Sequence, residues 1–168
     1  MTSKDISLKS LIAPSFYDVH KDIKTDGHTH YWLKGGRGST KSSFVSIELV
    51  LGIMRDATNG IMSNAVVIRR VKDTLSGSVY EQVKWAIYSL KCEDDWEIPE
   101  AKLKMTYKPT GQVIIFKGAD NEKKLKSIKV SKGFIKYIWY EEVDEFEGEY
   151  KIRNINQSLM RGGSKYKV

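Results

Sequence analysis

This chain reads as an α/β protein with a mainly parallel central sheet, flanking helices and an inserted β-hairpin. Three observations predict that class. Ala65-Val66-Val67-Ile68 is a short apolar run suited to a strand buried on both faces. Strand-like runs alternate with stretches at helical spacing, the pattern of parallel sheets. A glycine cluster, Gly35-Gly36-Arg37-Gly38, stands between a β-prone run and a helical one.

The elements follow in chain order. Leu8, Leu11 and Ile12 fall on one side of a short helix, which Pro14 should end. The rest of residues 1–29 shows no clean period, and Thr25-Asp26-Gly27 reads as a turn. His30 to Lys34 is β-prone and runs straight into the glycines. Ser42 to Arg55 is helical, with Phe44, Ile47, Val50, Leu51 and Met54 at its spacing. Asn59-Gly60 turns the chain into the Ala65–Ile68 strand. Val79, Val83, Ala86, Ile87 and Leu90 form the stripe of a second helix, Ser78 to Leu90. Lys102–Tyr107 and Gln112–Phe116 make the hairpin around Pro109-Thr110-Gly111. Phe134–Tyr140 is a strand closed by Glu141-Glu142, and Tyr166–Val168 is a last β-prone piece.

With 168 residues the chain suits one domain. Its 28 Lys and Arg outnumber 21 Asp and Glu, and the resulting +7 permits a polyanion partner. No apolar run approaches the roughly 20 residues that span a bilayer, so no membrane partner is expected. The N-terminus is polar, and Cys92 is the single cysteine, which excludes an internal disulfide and a cysteine-rich zinc site. His20, His28 and His30 have no acidic or cysteine partners at ligand spacing. These features point to a cytosolic protein.

The chemistry concentrates in Gly35-Gly36-Arg37-Gly38-Ser39-Thr40-Lys41-Ser42. A phosphate chain needs inward-facing backbone N–H groups, close backbone approach, and the positive end of a helix. Lys41 would reach the β- and γ-phosphates, Ser42 would bind Mg²⁺, and Ser39 would add a donor. Thr40 stands where the motif expects its second glycine. It is tolerable there only at negative φ, with its side chain turned away from the nucleotide. The bland reading is a glycine-rich turn before an ordinary helix.

Glu141 lies 100 residues beyond Lys41. In a nucleotide-hydrolysing fold its strand should lie beside the phosphate-loop strand. Glu141 would then hold the Mg²⁺ shell through water, and Glu142 would take a proton from the attacking water. The alternative is an acidic loop, since Asp144, Glu145, Glu147 and Glu149 follow. Arg37 would sense the γ-phosphate, or pair with Glu141 or Glu142 in the empty site. Arg69-Arg70 ends a strand and faces nucleotide, DNA, a neighbouring subunit or solvent. Lys123, Lys124, Lys126, Lys129 and Lys132 form a basic segment, read as a solvated face or as the source of a basic finger acting in trans. Phe16, Tyr17 and Tyr31 are either core or adenine-stacking groups.

Taken together, Leu33 to Phe44, Val67-Ile68-Arg69-Arg70, Leu75 to Tyr80, Tyr137 to Glu142 and Ser158 to Gly163 resemble the N-terminal ATPase domain of tailed-phage terminase large subunits of Gram-positive hosts and prophages. The resemblance implies an additional-strand, catalytic-glutamate P-loop NTPase fold. It implies an ATPase that uses ATP and Mg²⁺ to drive double-stranded DNA, without sequence preference, into a capsid. Its implied partners are the portal protein, the terminase small subunit and other copies in a ring, all in the bacterial host cytoplasm. The implied catalytic residues are Glu142, Lys41 and Arg37, the nucleotide-binding residues Gly35 through Ser42, and the metal-binding residues Ser42 and Glu141. Residues 1–29 are expected to pack near adenine, and 30–168 to form the ATPase core. That core is expected to stop before the coupling motif and the C-terminal nuclease domain, which would impair turnover. The alternatives are another P-loop translocase or helicase, and a non-hydrolysing nucleotide-binding module.

Overall fold

The computed structural model describes residues 7–99, 101, 103–120 and 125–168. Lys102, Lys123 and Lys124, named above, lie outside the described residues. The helices are α1 (Tyr17–Lys24), α2 (Lys41–Thr58), α3 (Glu81–Ser89) and α4 (Glu149–Leu159). The strands are β1 (Ser63–Arg69), β2 (Trp96–Glu97), β3 (Lys104–Tyr107), β4 (Gln112–Gly118) and β5 (Phe134–Tyr140). They form one sheet in the order β2-β3-β4-β1-β5. β1 pairs in parallel with β4 and β5, while β2, β3 and β4 are antiparallel neighbours.

β1 is central and buried nearly throughout, as its uninterrupted apolar run requires. One sheet face carries Ala65, Val67, Tyr137 and Trp139 against Phe44, Ile47, Val50 and Ile53 of α2 and Val83 and Ile87 of α3. The other carries Val66, Ile68, Ile135 and Ile138 against Ile155 and Leu159 of α4. Buried Asn64 stitches three strands: its amide donates to the carbonyls of Lys132 (2.9 Å) and Phe134 (3.2 Å), and its oxygen accepts from Val113 N (2.9 Å).

Three expectations need correction. His30–Lys34 forms no ladder strand; it is an extended segment whose sheet bonds run from Val168 N to Thr29 O and from Tyr31 N to Val168 O, both 2.8 Å. The acidic strand does not lie beside that segment. Residues 166–168 lie between them, with Ile138 N donating to Lys167 O and Lys167 N to Lys136 O, each 2.8 Å. So short a neighbour satisfies too few backbone groups to make residues 30–34 a strand. Pro14 opens a helix rather than ending one: Leu8–Ser10 is a single 3₁₀ turn, and Pro14–Phe16 leads into α1. Proline fits a first helical position because that N–H has no partner anyway. α4 occupies a stretch to which the sequence reading assigned no element, and buries Ile155 and Leu159.

No helix among the described residues is long and apolar enough to cross a membrane.

Candidate functional site

The glycine loop leads into α2, and Thr40 is the residue before its first turn. Thr40 adopts φ +59°, in the left-handed region, which overturns the expected negative φ. A β-branched side chain is rare there, because its Cβ crowds the following carbonyl. Gly38 is also left-handed, at φ +76°. A Cβ on Gly35 would stand 3.1 Å from the Ser39 hydroxyl and 3.5 Å from the Lys41 ammonium, so the loop is tight at its start. Lys41 folds back into this loop. Its ammonium donates to Gly35 O (2.6 Å), Gly36 O (3.3 Å) and Ser39 Oγ (2.7 Å).

The end of β5 reaches the start of α2. The Ser42 hydroxyl donates to Glu141 Oε1 at 2.9 Å, joining residues far apart in sequence. Burial pushes the Glu141 carboxyl above its ordinary range; the Ser42 hydrogen bond opposes this, and the neighbouring Glu142 charge reinforces it. Glu142 has the opposite environment. It is more exposed, left-handed at φ +52°, and accepts from Arg69 Nη2 at 2.7 Å. That guanidinium first, and a hydrogen bond with Glu145 second, hold the Glu142 carboxyl below its ordinary range. The same Glu142 contact pushes Glu145 up.

Gly35 through Ser42, Glu141 and Glu142 all line one cleft of about 1120 Å³. Arg37 lines it too, yet makes no hydrogen bond or ion pair among the described residues. Arg69, from the end of β1, takes the role expected of Arg37 opposite the acids. Arg69 Nη1 also donates to Thr74 O (3.3 Å), while its buried Nε has no partner. The one sequence signal for Arg69 was its place at the C-terminal end of a buried strand. Lys132 sits at the opposite end of the sheet, just before β5, so it is remote from this chain's own cleft.

The aromatics divide. Phe16 is core, stacked on Phe44 with ring centroids 4.4 Å apart. The Tyr17 hydroxyl donates to Lys9 O at 3.2 Å. Tyr31 lines the cleft, but its hydroxyl is engaged by Asp22 Oδ2 at 2.7 Å. His20 contacts buried Glu48 at 2.5 Å and His28 contacts Asp22 at 2.9 Å. Among the described residues, no group of three or more His, Cys, Asp or Glu side chains is placed to hold a metal. The oxygen pair Ser42–Glu141 is nevertheless the donor type that magnesium takes alongside phosphate and water oxygens.

Comparison with known proteins gives a consistent picture. The sequence model of the phage terminase large subunit family matches residues 27–167. The chain is 38% identical over 158 residues to the terminase large subunit of Bacillus phage SPP1, covering 94% of this chain and 36% of that protein. It is 32% identical over 121 residues to the PBSX phage terminase large subunit of Bacillus subtilis strain 168, covering 72% and 26%. The chain thus spans about a third and about a quarter of the length of these curated relatives.

Proposed function

This chain belongs to the phage terminase large subunit family, and from that premise we propose that it is the P-loop ATPase core of a DNA-packaging motor. The observation that carries the reading is the Ser42–Glu141 contact, which brings the end of the acidic strand to the start of the helix behind the glycine loop. Residues 30–168 supply the core, and the segment before them packs near the adenine position. Gly35 through Ser39 present backbone donors to the phosphates, and the α2 N-terminus adds its positive dipole end. Lys41 leaves the loop carbonyls and turns to the β- and γ-phosphates. Ser42 and Glu141 would hold Mg²⁺, which would neutralise phosphate charge when bound. Glu142 accepts the proton of the attacking water once Arg69 releases it. Arg37, the cation of the loop without an ion-pair partner among the described residues, faces the γ-phosphate.

The motor's other contacts follow from the family. Double-stranded DNA is gripped through its phosphates without sequence preference, consistent with the net charge of +7. The portal protein, the small subunit and further copies in a ring are the protein partners, and the host cytoplasm is where they meet. The test is Mg²⁺-ADP binding by calorimetry. Wild-type chain should bind, and Lys41→Ala should weaken binding roughly tenfold to a hundredfold, the worth of a hydrogen bond to a charged group, about 1.5–3 kcal/mol. Equal affinities would remove the assignment.

A further inference from the structure

β5 carries an irregularity that decides which acid faces α2. Asn64 of β1 pairs with Ile135, but the next residue, Ala65, pairs with Tyr137, so Lys136 is an extra residue in the strand. Such a bulge places two consecutive side chains on one face. Ile135 packs on the α4 face of the sheet. Lys136 and Tyr137 both turn to α2, where a single carboxylate receives them: Lys136 Nζ donates to Asp56 Oδ1 at 2.9 Å and the Tyr137 hydroxyl to Asp56 Oδ2 at 2.8 Å. Beyond the bulge, alternation resumes. Ile138 packs on the α4 face, Trp139 on the α2 face, Tyr140 on the α4 face, and Glu141 meets Ser42 on α2.

Regular alternation from Ile135 would give the reverse. Tyr140 and Glu142 would face α2, and Glu141 would face away, because a one-residue slip moves every later side chain to the other face. Asp56 is 3% exposed and Lys136 6%, so both charges are out of water. A buried ion pair is poor evidence of stability, and its best-attested use is to specify register. We propose that Asp56 is a positioning residue: by holding Lys136 and Tyr137 on one face it fixes the bulge, and the bulge sets the phase that brings Glu141 to Ser42. Gly52 belongs to the same device. A Cβ there would stand 2.7 Å from the Tyr137 ring, so only glycine lets that ring lie against α2 on its way to Asp56.

The purpose of the device rests on the nucleotide-site reading above; its geometry does not, and the two are tested apart. The geometric test works in a Cys92→Ala background with dibromobimane, which fluoresces when it joins two nearby thiols. Ser42→Cys paired with Glu141→Cys should be joined, and Ser42→Cys paired with Tyr140→Cys should not. Adding Asp56→Leu with Lys136→Leu, an apolar pair that removes the buried charges together, should abolish the first product and produce the second. Deleting Lys136 in an Asp56→Leu chain removes the extra residue, keeps the later phase, and should restore the first product. A merely structural role for Asp56 predicts no such exchange and no rescue by a deletion. An unchanged pattern in the folded Leu pair, by circular dichroism, overturns the proposal. So does failure of both the Leu pair and the deletion to fold, which would mark Asp56 as holding the fold rather than the phase. In parallel, the Mg²⁺-dependent gain in ADP affinity should be lost in the Leu pair, with binding in EDTA unchanged. Absence of nucleotide binding in the wild type would count against the site reading alone, since the thiol experiment still decides the phase.

Discussion

The glycine loop and the acidic turn face each other across one cleft, and they are held by opposite means. The loop is held from within: the Lys41 ammonium donates to Gly35 O, Gly36 O and Ser39 Oγ. The acidic turn is held by side chains from elsewhere, Ser42 from α2 and Arg69 from β1. Both use one non-glycine residue in the left-handed region, Thr40 in the loop and Glu142 in the turn. The difference separates two kinds of rearrangement. On the proposed reading the loop would exchange internal bonds for phosphate, whereas the turn would exchange the Arg69–Glu142 ion pair for water. Strained backbone is often found at functional sites, and Thr40 and Glu142 are the two of the five left-handed non-glycine residues among the described ones that line this cleft.

The largest test of this contrast is Glu142→Gln. The amide keeps the shape and loses the base, so ATP turnover should fall by about 10²–10⁴-fold while nucleotide affinity is retained. Phosphate release measured beside calorimetry checks both halves, and unchanged turnover would show that the turn is not the chemical side of the cleft. Thr40→Gly probes the loop instead. Relief of left-handed strain, offset by the greater freedom of glycine when unfolded, should stabilise the chain by up to about 1 kcal/mol. That corresponds to a thermal midpoint raised by roughly 2–4 °C. Thr40→Ala keeps the Cβ and should gain less; equal gains would locate the effect outside the backbone.

The smallest effect concerns Arg69 and pH. Glu142 is held below its ordinary range when folded, so its pairing adds stability above the unfolded carboxylate range. That stability is lost as pH falls through the depressed value. Arg69→Met should flatten this acid-side loss. The pair is partly exposed, so the change is only about 0.2–1 kcal/mol. Midpoints of wild type and variant at pH 7 and pH 3 would show it, and parallel pH curves would place the carboxylate's depression on another group.

What the sequence disclosed followed the strength of local patterns. α2, β1, α3 and the β3–β4 hairpin were legible because apolar spacing and turn residues coincide there. The loop residues and both acids were legible as types, and the structure brings them to one cleft. α4 was not, because its apolar residues Ile152, Ile155 and Leu159 are diluted by charges and amides and follow an acidic run. The bulge was invisible too: Phe134 to Tyr140 is almost uniformly apolar or aromatic, so nothing in it shows a lost beat of alternation. Of the two roles read for Arg37, pairing with an acid falls instead to Arg69, which no local pattern could show because it arrives through the β1–β5 pairing.

The segment that leads into the glycine loop is attached to the sheet through Val168, which bonds both Thr29 and Tyr31. This gives the fold an order in time. During synthesis Thr29 and Tyr31 emerge about 140 residues before Val168, the neighbour that ties them to β5, a delay on the order of 7–30 s at roughly 5–20 residues per second. Contacts of such long sequence separation are slow to form because the intervening chain must be ordered first. The glycine loop is therefore made well before the residue that fastens its lead-in to the sheet.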